Sequence, residues 1–262
     1  LARSLEDGDR AVDFVTIDGG EGGTGAGPLV FADRVAMPFK IGFSRVLGVF
    51  SEYGVDDRVV FIGSGKLGFP DTALLAFALG CDMVNIAREA LLGIGCIQAL
   101  RCHTNHCPTG IATQNPWLVR GVDPTLKSAR LANYILTMRK DLLALSRACG
   151  VPHPALITAD HLELVDDRFG ASTVAGLFGY GRGFGLPSEV DVAEVRRLME
   201  RRDAARVTPN SLRSNKCTKL AINCTGRLST QKYPRSSKTF IADDMPDPLK
   251  PVMIMIAVSL LC

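Results

Sequence analysis

The sequence predicts an α/β fold built on a parallel sheet, and two observations carry that expectation. A strand, a glycine-rich loop and a helix recur three times in the first hundred residues, and each strand is short, rich in β-preferring residues and followed by a loop. At 262 residues, with 47% hydrophobic and 22% charged content, the chain can bury a full core. Collagen-like, coiled-coil and wholly disordered classes are excluded.

In the first unit, Asp13-Phe14-Val15-Thr16-Ile17 reads as a strand. It stops at Asp18-Gly19-Gly20-Glu21-Gly22-Gly23-Thr24-Gly25-Ala26-Gly27-Pro28, a run that no helix or strand interior tolerates. Residues 41–53 then place Ile41, Val46, Leu47, Val49 and Phe50 at helical intervals. In the second unit, Arg58-Val59-Val60-Phe61-Ile62 is the strand and Gly63-Ser64-Gly65-Lys66 the loop. Residues 70–79 form its helix, opening on proline in the first turn. The third unit has Asp82-Met83-Val84-Asn85-Ile86 as strand and residues 89–100 as helix.

The pattern then changes. Residues 102–117 read as an ordered loop rich in Cys, His, Asn and Pro, and a long helix begins at Asp123 or Pro124, runs through Ala148 and is capped by Gly150. Three regions are expected: 1–122, the repeated units and the cysteine loop; 123–207, a helical extension with glycine-rich interruptions; and 208–262, a poorly ordered or non-native tail. Arg213, Lys216, Lys219, Arg227, Lys232, Arg235 and Lys238 make that tail strongly basic. The whole chain carries only +3, so the body is net acidic and offers no nucleic-acid footprint. The apolar run over 252–257 is too short to cross a bilayer. Eight cysteines with no signal peptide fit a reducing, cytoplasmic setting.

In such a setting clustered cysteines point to ligands. Cys96, Cys102 and Cys107 have a C-x5-C-x4-C spacing. On one continuous helix Cys96 and Cys102 would point about 120° apart and ~9 Å along the axis, so the helix should end near Leu100 and the loop should curl back. Three readings remain open on these residues alone. The thiols are buried and inert; or they hold zinc together with His103 or His106; or they hold an iron–sulfur cluster, for which three ligands suit a [3Fe–4S] core.

The glycine loops mark the carboxyl edge of the sheet, where ligands bind in such folds. Gly22-Gly23-Thr24-Gly25 offers bare backbone to a flat or anionic group, Gly63-Ser64-Gly65 offers N–H groups suited to phosphate, and Arg88 adds a charged donor. Gly63-Ser64-Gly65-Lys66-Leu67-Gly68 also matches G-x-G-x-x-G, with Glu89 near the place of a ribose-binding acid. An NAD(P)-binding module of the Rossmann type is therefore the alternative.

Taken together, Gly22-Gly23-Thr24-Gly25-Ala26-Gly27-Pro28, Gly95-Cys96 and the run Cys102-His103-Thr104-Asn105-His106-Cys107-Pro108-Thr109-Gly110-Ile111-Ala112-Thr113-Gln114 resemble the FMN-binding domain of glutamate synthases. Asn85-Ile86-Ala87-Arg88 and Asn133-Tyr134 bring it nearest to the glutamate synthase-related proteins. The resemblance implies a (β/α)8 TIM barrel of which this chain carries the last three βα units, and so a fragment that is inactive alone. It implies FMN at the strand ends, its phosphate held at Gly63, Ser64, Gly65, Ala87 and Arg88, and a [3Fe–4S] cluster on Cys96, Cys102 and Cys107. It further implies reductive amination of 2-oxoglutarate or a related 2-oxo acid to glutamate, with electrons from ferredoxin or an NADPH-linked subunit. Catalytic residues proper are not identified.

Overall fold

The computed structural model describes residues 1–8, 12–22, 30, 35–165, 170–207 and 254–255. Gly23, Thr24 and all of the expected 208–262 tail except Ile254 and Met255 lie outside the described residues. Helix α1 (Ala2–Glu6) buries Ala2 and Leu5 and precedes strand β1 (Phe14–Asp18). Helix α2 (Phe39–Glu52) lays Phe39, Phe43, Leu47 and Phe50 on one stripe against the sheet, and all four are buried. A 3-10 turn (Asp56–Arg58) leads into β2 (Val60–Ser64), where Phe61, Ile62 and Gly63 are buried in succession. Covering on both faces is what a parallel strand inside an α/β layer requires.

Helix α3 (Pro70–Ala78) buries every residue from Ala73 to Ala78, because it is packed between the sheet and a later helix. Strand β3 (Met83–Asn85) buries Val84 completely. The three strands are parallel. Phe14 pairs with Val60 and Asp18 with Ser64; Ile62 pairs with Met83 and Ser64 with Asn85. This register brings Asp18, Ser64 and Asn85 to one edge, so the loops that follow them emerge side by side. Asp82 ties the start of β3 to the neighbouring strand by accepting from the Phe61 N–H at 2.7 Å.

The helix after β3 is shorter than the sequence reading placed it. Helix α4 spans only Arg88–Gly93, not 89–100. Its end is a Schellman motif: Gly95, with φ 104°, donates to the Leu92 carbonyl, and Cys96 donates to that of Leu91 at 2.9 Å. Cys96 therefore stands just outside the helix. The same motif ends α2 at Gly54 and α3 at Gly80.

Short helix α5 (Pro116–Val119) is capped by Asn115. Helix α6 (Pro124–Ala148) matches its expected span, with Asp123 accepting from the Thr125 N–H and Met138, Leu142 and Ser146 on its buried face. Beyond it come 3-10 turns (Pro154–Leu156 and Ala159–His161), the antiparallel pair β4 (Glu163–Val165) and β5 (Ala171–Thr173), α7 (Val174–Phe178) and α8 (Glu189–Val207). Strand β6 (Ile254–Met255) lies parallel beside β3, giving sheet order β1-β2-β3-β6. The sequence reading anticipated neither the β4–β5 pair nor β6. The architecture is mixed α/β with helices packed on parallel strands, compatible with part of an α/β barrel. Among the described residues no helix is long and apolar enough to cross a membrane.

Candidate functional site

The strand register dictates what meets at the carboxyl edge. After β1, the Gly19 N–H donates to the Ser64 carbonyl at 2.8 Å, and the Gly20 N–H to that of Met37 at 2.8 Å. Gly22 has φ 114°, and a Cβ there would meet the Arg88 guanidinium at 3.7 Å. The first and third loops thus approach each other, with Arg88 opening α4 and Ala87 as its N-cap. Ser64 ends β2 half-buried, and Gly65 follows with φ 147°. Gly63 is placed differently. It is buried within β2, and a Cβ there would stand 2.7 Å from the Cys81 sulfur and 2.8 Å from the Phe39 ring.

Glu21 belongs to this edge and was missed by sequence reasoning. Both its carboxylate oxygens accept from the Phe39 N–H, at 3.0 and 2.8 Å, so the acid caps α2 from 18 residues away. A carboxylate on the positive end of a helix is favourable. Nothing local in the sequence signals a contact of that span.

Glu89 is 6% exposed and packs directly on Gly68, where a Cβ would lie 2.4 Å from the Glu89 side chain. A carboxylate buried in this way is not presented to a ribose, which removes the acid the Rossmann reading needs. Tyr134 of α6 donates to the Gly68 carbonyl at 2.7 Å and so fixes α6 to the loop after β2; burial and the Glu89 charge push its hydroxyl upward. A cavity of about 400 Å³ beside Tyr134, lined partly by Phe69, Asn133, Thr137 and Asp141, includes none of the candidate cofactor residues.

The cysteine loop is held by its own backbone. Gly95, Gln98, Leu100, Asn105 and Gly110 all have positive φ, and at Gln98 and Leu100 this conformation is strained. Asn105 is the hub: its Oδ1 accepts from the Thr113 hydroxyl at 2.9 Å and the Gln114 N–H at 2.6 Å.

Cys107 is buried, Cys96 half-buried and Cys102 exposed. Burial pushes the Cys107 thiol up. The Thr109 hydroxyl, at 3.3 Å, and the N–H groups of Ala112, Thr109 and Ile111 outweigh it, holding the thiol below its ordinary value. The Gln98 N–H donates to the Cys96 sulfur at 3.4 Å. Partial shielding of its sulfur raises the Cys102 thiol, as do the charges of Cys107 and Cys96, so both of these sulfurs lie within electrostatic reach of that of Cys102.

Among the described residues no three His, Cys, Asp or Glu side chains converge tightly enough to hold one metal ion. That geometry disfavours a mononuclear zinc site, whose ligands crowd around a single centre. In a polynuclear cluster each thiolate meets a different iron, so its sulfurs stand further apart. The donor types suit such a group: three thiols, with the Gln98 N–H on the Cys96 sulfur and the Thr109 hydroxyl 3.3 Å from that of Cys107.

Comparison with known proteins shows the family. A family model described as the conserved region in glutamate synthase matches residues 6–152. The glutamate synthase large subunit-like protein YerD of Bacillus subtilis is 41% identical over 162 residues, covering 62% of this chain and 31% of the relative. The archaeal glutamate synthase [NADPH] of Methanocaldococcus jannaschii is 38% identical over 139 residues, covering 53% of this chain and 27% of the relative. The glutamate synthase [NADPH] large chain of Bacillus subtilis is 31% identical over 140 residues, 9% of its length. The chain thus spans about three-tenths of the first two relatives, 31% and 27%. With more than half of its residues matched by the family model, the chain belongs to the glutamate synthase family.

Proposed function

We propose that this chain is the part of a glutamate synthase-type oxidoreductase that holds the iron–sulfur cluster and the phosphate end of FMN. The observation that carries the reading is the setting of Cys107, a buried sulfur 3.3 Å from the Thr109 hydroxyl, with the N–H groups of Ala112, Thr109 and Ile111 helping to hold its thiol below the ordinary value. Such a setting suits a thiolate that stays ionised as a ligand.

Cys96, Cys102 and Cys107 would hold a [3Fe–4S] cluster. Ser64, Gly65, Ala87 and Arg88, with Gly63 behind them and Gly22 opposite, would hold FMN; Gly23 and Thr24 are further candidates from the sequence alone. When bound, these groups supply single-electron transfer and hydride delivery to the imine formed from ammonia and 2-oxoglutarate or a related 2-oxo acid. The overall change takes two electrons and two protons, drawn from ferredoxin or an NADPH-linked subunit.

The chain's own residues do the positioning. Arg88 opens α4 at the flavin edge, and the Schellman turn at Gly95 delivers Cys96 from the far end of the same helix. One six-residue element thereby spaces the two cofactor sites. Tyr134 fixes the outer helix on the loop after β2, and Glu21 holds α2 closed over the same edge.

The test is anaerobic reconstitution of the chain with ferrous iron, sulfide and FMN. Uptake of about three irons per chain is expected, abolished by Cys107→Ser and retained by Cys149→Ala. A folded chain that takes up no iron and no flavin would refute the reading.

A further inference from the structure

Gly95 stands immediately before Cys96, and what covers it is unusual. A Cβ at Gly95 would meet the Lys127 amino group at 2.7 Å and the Arg130 guanidinium at 3.3 Å. Both cations rise from the first turns of α6 with i, i+3 spacing, so they share one face. They close over bare backbone that only a residue without a side chain leaves open.

Among the described residues neither cation pairs with a carboxylate. Between Glu89 and Asp123 the chain has no acidic residue, while Arg101 and Arg120 add positive charge. Asp123, one turn before Lys127, accepts from the Thr125 N–H, and among the described residues no ion pair joins it to either cation.

We infer that Lys127 and Arg130 are positioning residues that set the reduction potential of the cluster on Cys96, an inference that rests on the cluster reading above. An iron–sulfur cluster held by three thiolates is anionic, and its negative charge grows by one unit on reduction. Fixed cations beside it stabilise the reduced form more than the oxidised form and raise the potential. The bland alternative is that both cations merely complement the carbonyl end of α4. That role would affect stability and leave the potential where it was.

The experiment uses the full chain reconstituted with iron and sulfide, with the cluster's reduction followed by electron paramagnetic resonance against a series of fixed potentials. In Lys127→Gln and Arg130→Gln the reduced-to-oxidised ratio at a given potential should fall several-fold. In the double variant it should fall about tenfold, or ~59 mV for a one-electron couple. Lys127→Arg and Arg130→Lys keep the charge and should stay near the parent value. Raising the salt should narrow the gap between parent and double variant.

An unmoved midpoint in the single variants, with iron content preserved, overturns the inference and leaves the cluster reading standing. So does a shift that the charge-conserving variants reproduce in full. A parent chain that takes up no iron overturns both at once. Should the double variant fail to fold, the two single variants and the salt dependence decide.

Discussion

Acid should unfold this protein through one histidine. His153 is 4% exposed, and its Nδ1 accepts from the Ala155 N–H at 3.2 Å at the start of the 3-10 turn Pro154–Leu156. Burial first, then the Arg202 and Arg139 charges, lower its pKa to about 4. In the unfolded chain the same ring titrates near 6.5. Above 6.5 both states are neutral and His153 contributes no pH dependence. As the pH falls below 6.5 the unfolded state takes up a proton that the folded state refuses, and stability is lost until about pH 4. At 1.36 kcal/mol per unit, the loss is about 2 kcal/mol at pH 5 and approaches ~3 kcal/mol below pH 4. Asp82 works in the opposite direction. Burial raises its carboxyl despite the Phe61 N–H, so it favours the fold once acid protonates it. The contrast must therefore be drawn against a variant. His153→Asn keeps a side-chain acceptor at the cap and removes the titration. Urea unfolding at pH 7 and pH 5 should show the parent losing about 2 kcal/mol more than His153→Asn. Equal losses in the two proteins would refute the buried neutral ring.

Two further outcomes follow from packing. Phe43 is fully buried, with ring centroids 5.4 Å from Phe39 and 6.2 Å from Phe61; Phe43→Ala should cost about 3–5 kcal/mol in chemical unfolding. Tyr134→Phe removes the donor to the Gly68 carbonyl and should cost about 1–2 kcal/mol. Hydrogen exchange in that variant should quicken around residues 66–70 and leave β1 unchanged.

The sequence made legible those elements whose signals are local. The three parallel strands follow β-preferring runs cut by glycine, and α6 follows Asp123, Pro124 and Gly150, so all were placed within one or two residues of where they lie. The family resemblance rested on the same kind of local signal. What escaped was either overlooked punctuation or tertiary contact. Gly95 is a helix stop of the same kind as Gly150, but the apolar run through Leu100 drew the helix past it; Gln98 and Leu100 instead take left-handed backbone. The β4–β5 pair has three residues per strand, too few for alternation to register. Glu21 capping α2, Glu89 buried on Gly68, and Lys127 with Arg130 over Gly95 are juxtapositions made by packing. No sequence periodicity encodes them.

The glycines of the strand edge show why a motif alone overstates a site. Gly63, Gly65 and Gly22 look alike in sequence, yet their surroundings differ. Gly63 is glycine because Phe39 and Cys81 occupy the space a side chain would fill, so the core consumes its bareness. Gly65 is glycine for its φ of 147° and for Phe39, whose Cβ would lie 2.9 Å away, with the Glu21 carboxylate at 3.2 Å. At Gly22 it is the φ of 114° that favours glycine, and among the described residues a Cβ would make an ordinary 3.7 Å contact with the Arg88 guanidinium. These differences orient the edge electrically. The Glu21 carboxylate, tied to the Phe39 N–H, stands on the Gly65 side, whereas Arg88 stands on the Gly22 side. An anion approaching the loops is repelled at the first position and attracted at the second.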